Sequence, residues 1–431
     1  MKKNIDILIV GFALFSMFFG AGNLLFPPYL GLISGDNWLI SLAGFVLADV
    51  GLALLVILAV VNGSGKIESI LCRAGRNFGL AIGSASVLCI GPLLAIPRTA
   101  ATTYEMGIQP LLNTSGNISS VIVSVIFFTL TLLFTIRPSK VVDIVGKILT
   151  PLLIISLVIL IIVGIINPIG EISNEVLINN NLFAEGVSQG YLTMDALAAG
   201  VFAGVIINAI VLKGYTSRNE KVKLTVKSGL VAGTFLALIY GGLTYLGATL
   251  SNKFGIETPQ AMLMVEITSA LLGNTGKILL GIIVTLACLT TSIGLTSSAG
   301  EYFSNITNGK LKYETIVIVV CVFSAVVSNF GVGTIIKFSS PILEVIYPVL
   351  MTLVILSLFC SNIKNDNVFK VSAYTTLVVS ILTVANGLWG VVPFIDKLPL
   401  SAIGFNWILP AIFGAIGGYF IKPKEQIYSI D

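Results

Sequence analysis

The sequence predicts an all-α integral membrane protein, and three observations carry that prediction. Of its 431 residues, 56% are hydrophobic and only 10% charged, where a soluble domain carries about 25% charged residues. The mean hydropathy is +1.01. Uncharged stretches recur from end to end, each long enough as a helix to cross a hydrocarbon core of roughly 30 Å. No segment is polar and long enough to stand apart, so residues 1–431 read as one membrane domain.

Twelve spans are expected, near 6–33, 37–61, 78–104, 118–136, 144–167, 191–212, 226–250, 276–303, 315–331, 337–360, 369–391 and 402–421. The basic residues sort by side. The termini and the loops on their side hold 19 of the 24, among them Lys2, Lys3, Lys66, Arg73, Arg137, Lys140, Lys147, Lys213, Arg218, Lys310 and Lys424. The opposite face holds only Lys253, Lys277, Lys337 and Lys397, and Arg98 falls within a span. The positive-inside rule then places both termini in the cytoplasm. Lys2-Lys3, the apolar run and Gly20-Ala21-Gly22 loosely fit a signal peptide, but more membrane sequence follows rather than a secreted domain.

Span 1 reads Phe18-Phe19-Gly20-Ala21-Gly22-Asn23-Leu24-Leu25-Phe26-Pro27-Pro28. Each glycine costs about 1 kcal/mol against alanine in a helix, and an asparagine is expensive against lipid. A local unwinding explains both, and freed backbone groups are tolerated at that depth only where they line a cavity. Close packing through small residues is the alternative. Span 6 carries Gly200 and Gly204 in Met194-Asp195-Ala196-Leu197-Ala198-Ala199-Gly200-Val201-Phe202-Ala203-Gly204, which is also a GxxxG packing motif. Interrupted helices at matching positions of two halves mark a transporter site, so a second break is expected near these glycines. The halves would be inverted five-helix repeats, about 6–167 and 191–360, with accessory helices at about 369–421.

In span 8, Ala287-Cys288-Leu289-Thr290-Thr291 places two hydroxyls three and four residues beyond an alanine, on one helix face. These neutral oxygens, with span 1 carbonyls, suit Na+, although such hydroxyls also bond back to their own helix. Among charges within spans, Arg98 and Glu344 form a candidate outer gate, with pairing of Arg98 to Glu105 or Asp195 as the plainer alternative. Asp49 is the deepest acid and keeps H+ open as a coupling ion. Asp143 and Glu301 sit near cytoplasmic ends. The five cysteines are scattered and read as small buried side chains. There is no histidine, which removes His-based catalysis, and no pair of intramembrane acids is evident, so no enzyme is expected. No filter-like loop points to a channel. No nucleic acid, protein partner or cofactor is expected.

The run Gly11-Phe12-Ala13-Leu14-Phe15-Ser16-Met17-Phe18-Phe19 through Pro28 resembles the N-terminal motif of the BrnQ branched-chain amino acid:cation symporters, and Gly91-Pro92 through Arg98-Thr99-Ala100 and Met194-Asp195 through Asn208-Ala209-Ile210 resemble the same family. The resemblance implies uptake of leucine, isoleucine and valine, coupled to Na+ or H+, in a bacterial cell membrane, on a fold similar to that of the leucine transporter. It implies Na+ ligands at the carbonyls of Ser16, Phe19 and Ala287 and the hydroxyls of Thr290 and Thr291. Substrate contacts are expected at Phe19, Gly20, Ala21, Gly22, Asn23, Gly200 and Phe202, with Phe15 beside the side chain. The basic gating residue that some relatives of that fold carry before Phe-Pro is Leu25 here.

Overall fold

The computed structural model describes residues 2–112, 117–136, 140–360 and 363–422. Arg137 and Lys424 lie outside the described residues, as do the side chains of Lys2, Lys3, Lys140, Asp143 and Lys147. Among the described residues there is helix and no strand. In a membrane this follows from hydrogen bonding, because a helix satisfies its backbone within one segment.

Span 1 is two helices, α1 (Lys2–Phe18) and α2 (Gly22–Ser34), interrupted at Phe19-Gly20, after which Ala21 leads into α2. Span 2 is α3 (Trp38–Val46) and α4 (Leu52–Asn62), joined by a π-helical turn at Leu47–Gly51. A short α5 (Ile67–Leu71) leads into span 3. That span runs through α6 (Arg76–Leu88), a π-helical turn at Cys89–Leu93 containing Pro92, α7 (Ala95–Thr102), another at Thr103–Ile108, and α8 (Gln109–Leu112). Pro92 has no N–H to donate, and Gly91 leaves helical geometry there, which bends the span before Arg98. Spans 4 and 5 are α9 (Asn117–Ile136) and α10 (Lys140–Ile166).

Span 6 begins earlier than expected. Asn181 caps α11 (Leu182–Thr193) by accepting from the N–H groups of Phe183 and Ala184. After Met194 the chain resumes as α12 (Asp195–Leu212). The break therefore lies at Met194, in left-handed backbone with φ 68°, and not at the glycines. Gly200 and Gly204 sit inside continuous helix. A β-carbon at Gly200 would meet Ile67 at 3.1 Å, so Gly200 is a packing glycine and is corrected from a break residue to a helix contact.

Span 7 is α13 (Arg218–Ala248), capped by Ser217, which accepts from the Glu220 N–H and donates to its carboxylate. The helix α14 (Gln260–Ile306) bends at Gly273, where φ is 62°. Beyond it lie α15 (Tyr313–Val327), α16 (Val332–Phe359), α17 (Asp366–Trp389) and α18 (Ile408–Phe420). Nine helical stretches among the described residues are long and apolar enough to cross a membrane, and Asn4–Phe18, Pro151–Ile166 and Ile408–Phe420 are shorter apolar helices.

The core gathers around the two broken spans. Against α2, α13 approaches at backbone distance, since a β-carbon on Gly31 would overlap the Thr244 carbonyl and one on Gly247 the Pro28 carbonyl. Exposed isoleucines and valines line α9, α10 and α15, such as Ile118, Ile122, Ile126, Ile155, Ile162 and Val322, forming the apolar face a lipid tail requires. At the base of α1, Lys213 pairs with Asp6 at 2.8 Å, tying it to the end of α12.

Candidate amino-acid and ion site

The two breaks face each other across a cavity with about 440 Å³ of empty space, its open mouth included. Span 1 contributes Met17, Phe18, Gly20, Ala21, Gly22 and Asn23, and span 6 contributes Thr193, Met194, Asp195, Ala198 and Phe202. Ile90, Ala95, Arg98 and Thr99 close it from span 3, and Thr291 and Leu295 from α14.

Each break aims helix ends at this space. The carbonyl end of α1 and the N–H end of α2 meet at Gly20-Ala21-Gly22. The first carries a partial negative charge and the second a partial positive one. Arg98 reinforces the positive side: its guanidinium lies about 2.9 Å from where a β-carbon on Gly22 would be. A larger residue there would displace the guanidinium or the Phe26 ring. Arg98 Nη1 donates to the Leu192 carbonyl at 2.5 Å and Nη2 to the Thr193 carbonyl at 3.4 Å, satisfying the last turn of α11.

Asn23 closes the span 1 break. Its Oδ1 accepts from the Gly20 N–H at 3.2 Å, while Nδ2 donates to Asp195 Oδ2 at 3.0 Å and to the Tyr240 hydroxyl. Asp195 is the first residue of α12, where the helix N-terminus favours a negative charge. Thr193 donates to Asp49 Oδ1 at 2.6 Å and accepts from the Asp195 N–H at 3.4 Å. One buried network thus joins spans 1, 2, 6 and 7.

The apolar wall is formed by Phe18 and Phe202, whose rings lie 6.2 Å apart, with Ile90, Ala198 and Leu295. Of the expected contacts, Gly20, Ala21, Gly22, Asn23 and Phe202 line the cavity. Phe19 instead stacks between Phe15, at 5.3 Å, and Tyr240, at 6.2 Å, so these two rings buttress the break from behind. Gly200 faces Ile67.

The expected ion ligands are only partly brought together. Thr291 reaches the span 1 break, its hydroxyl 3.9 Å from a β-carbon position on Gly20. Thr290 donates within its own helix, to the carbonyls of Ala287 at 3.0 Å and Leu286 at 3.1 Å. Ser16 lies in the last turn of α1. The candidate gate is not closed as an ion pair. Arg98 bonds the span 6 carbonyls, and Glu344 accepts from Ser340 at 2.8 Å. Glu105 accepts from the Val332 N–H at 2.8 Å.

The expectation of no paired intramembrane acids is corrected, since Asp49 and Asp195 are buried side by side, joined through Thr193, which donates to Asp49 Oδ1 and accepts from the Asp195 N–H. Their separation along the chain hides this. Tyr240, a single hydroxyl in an apolar helix, carries no sequence signal of its own.

The family model for "Branched-chain amino acid transport protein" matches residues 3–425. The chain belongs to the branched-chain amino acid transport protein family. Two relatives in this family are from Bacillus subtilis. The branched-chain amino acid permease BrnQ is 36% identical over 98% of each chain, and the permease BraB 39% identical over 99% of this chain and 98% of its own. The family chain folds like solved transporters of the leucine-transporter class. It matches inward-facing Mhp1 with a TM-score of 0.60 at 12% identity, covering 96% of this chain and 90% of that one. It matches MhsT in complex with L-phenylalanine at 0.58 and 17%, covering 94% and 98%. This family member is an amino-acid transporter of the membrane, not an enzyme.

Proposed function

We propose that the protein imports leucine, isoleucine and valine across a bacterial cell membrane by alternating access, coupled to Na+. The observation that carries this reading is the cavity at which both broken spans converge, lined by the break residues, Arg98 and Asp195 together with the apolar Phe18, Phe202, Ala198 and Leu295. The substrate carboxylate is received by the N–H end of α2 at Gly22 and by Arg98. Its ammonium is received by the carbonyl end of α1 and by Asp195. The aliphatic side chain packs between Phe18, Phe202, Ala198 and Leu295. One methylene changes binding by only about 1–3 kcal/mol, so the three substrates compete.

Na+ binds between spans 1 and 8 at the carbonyls of Ser16, Phe19 and Ala287 and the hydroxyls of Thr290 and Thr291. The contact of Thr291 with Gly20 supports this. Binding there requires Thr290 to release its own helix. Arg98 closes the outer side through the span 6 carbonyls. The chain is one domain of twelve spans, with both termini cytoplasmic, repeats at about residues 6–167 and 182–360, and accessory helices at about 369–421; the second repeat is extended to include α11.

The test is radiolabelled leucine uptake into proteoliposomes under an inward Na+ gradient without a pH gradient. Thr291→Ala is expected to raise the Na+ concentration for half-maximal uptake about tenfold, equivalent to about 1.4 kcal/mol. Uptake indifferent to Na+ would remove the ion assignment while leaving the carrier reading intact.

A further inference from the structure

The Asp49–Asp195 contact is out of place in a membrane core. Asp49 is 0% exposed and Asp195 8%. Asp49 Oδ1 accepts from Thr193, but Asp49 Oδ2 is buried and receives no hydrogen from any described donor. The side chains beside it are the Asp195 carboxyl and the Tyr240 hydroxyl, which already accepts from Asn23. Two ionised carboxylates in contact repel, and a buried carboxylate oxygen without a donor pays its desolvation uncompensated. A hydrogen carried by one acid and offered to the other removes both penalties.

Charge arithmetic agrees. The groups facing the pair are Arg98 from span 3, Asn23 from span 1, Tyr240 from span 7, and Tyr347 from α16 with Tyr191 beyond it. Arg98, 3% exposed, is the one permanent cation among them. With both acids ionised this buried cluster carries one net negative charge, and with one proton on the pair it is neutral. Intramembrane charge is expensive enough to make that difference decisive. The π-helical turn at Leu47–Gly51 turns Asp49 toward span 6, and such turns concentrate at functional sites.

We propose that Asp49 and Asp195 form a proton-binding site that holds one proton between two carboxyls and exchanges it through the amino-acid cavity. Asp195 lines that cavity and Asp49 lies behind it, so Asp195 is the port. Release breaks one O–H bond, leaves two carboxylates, and passes the proton to the cavity. An amino-acid ammonium placed beside Asp195 stabilises the ionised pair, so substrate and proton oppose one another there. The link to substrate rests on the cavity assignment above, whereas the proton pair does not.

The test is infrared spectroscopy of the purified full-length protein in detergent, at neutral pH in H2O and D2O, with Na+ present and absent. One protonated-carboxyl carbonyl band per protein is expected, shifted in D2O, present with or without Na+, and lost in both Asp49→Asn and Asp195→Asn. The difference between wild type and variant separates it from bands of Glu105 and Glu344. A band that is absent, survives either variant, or appears only when Na+ is withdrawn overturns the proposal, the last by assigning the site to Na+. Should a variant fail to elute as a monodisperse species, pH titration of the wild-type band decides: a band absent at neutral pH that grows in only under strongly acid conditions is equally fatal. Saturating leucine is expected to move the titration midpoint at least tenfold toward higher proton concentration. An unmoved midpoint with leucine demonstrably bound overturns exchange through the cavity. Absence of leucine binding with the band intact would instead count against the substrate assignment.

Discussion

Asn23 is the residue whose removal the structure converts most directly into a number. It makes three hydrogen bonds with one amide: from the Gly20 N–H, to Asp195 and to Tyr240. Asn23→Ala deletes all three and leaves their partners buried. Side-chain hydrogen bonds within membrane proteins average about 0.6 kcal/mol each, so three set a floor near 2 kcal/mol. Leaving a buried partner unsatisfied costs a further ~1–3 kcal/mol, so with one of the three left unsatisfied the expected loss is about 3–5 kcal/mol. Equilibrium unfolding in mixed micelles measures it, with leucine uptake followed in parallel. Asn23→Asp sharpens the test, because it keeps the acceptor for Gly20 but sets a third carboxyl beside Asp195. Its defect should ease as pH falls and the carboxyls neutralise. A loss below about 1 kcal/mol for Asn23→Ala, with uptake intact, would refute the claim that this amide holds the break in shape.

Further outcomes follow from single contacts. Gly247→Leu forces a side chain into the Pro28 backbone of α2 and should cost about 1–3 kcal/mol or more, read as lost monodisperse yield. Gly204→Ala meets nothing within 4 Å and should stabilise the helix by up to about 1 kcal/mol with transport retained; a transport defect would return the span 6 break to the glycines. Arg98→Gln removes two charge-assisted bonds to the α11 carbonyls, each worth about 1.5–3 kcal/mol, and should reduce leucine uptake far more than Arg98→Lys does.

The span 1 break was readable because its signals agree: two glycines, an asparagine and a double proline have no easy place in a lipid-facing helix. The span 6 break was misplaced for a physical reason. Left-handed backbone is ordinarily signalled by glycine, and here Met194 adopts it, while the glycines nearby serve packing. The neighbours of Met194 are fixed by Arg98 on the preceding carbonyls and by the Asp195–Asn23 bond, and its own N–H donates to the Tyr191 carbonyl. Helical spacing puts Thr290 and Thr291 on one face with Ala287 and the family resemblance turns that face to span 1, but the spacing does not show that Thr290 turns back to the Ala287 carbonyl. The Asp49–Asp195 pair is invisible to any local pattern, because it depends on which spans become neighbours. Phe15 is expected in the apolar substrate pocket, but its ring stacks on Phe19, whose own ring packs toward Tyr240 and leaves only its carbonyl for the site.

The central claim is that the cavity between the two breaks receives the amino acid. Equilibrium binding of radiolabelled leucine to purified wild type and Ala198→Trp tests it most directly, since Ala198 lines the cavity wall beside Phe202. The account predicts saturable binding to the wild type, displaced by isoleucine and valine, and loss of at least a hundredfold in affinity in a variant that still elutes as a monodisperse species. Unchanged leucine affinity in Ala198→Trp would contradict it and move the substrate elsewhere in the fold.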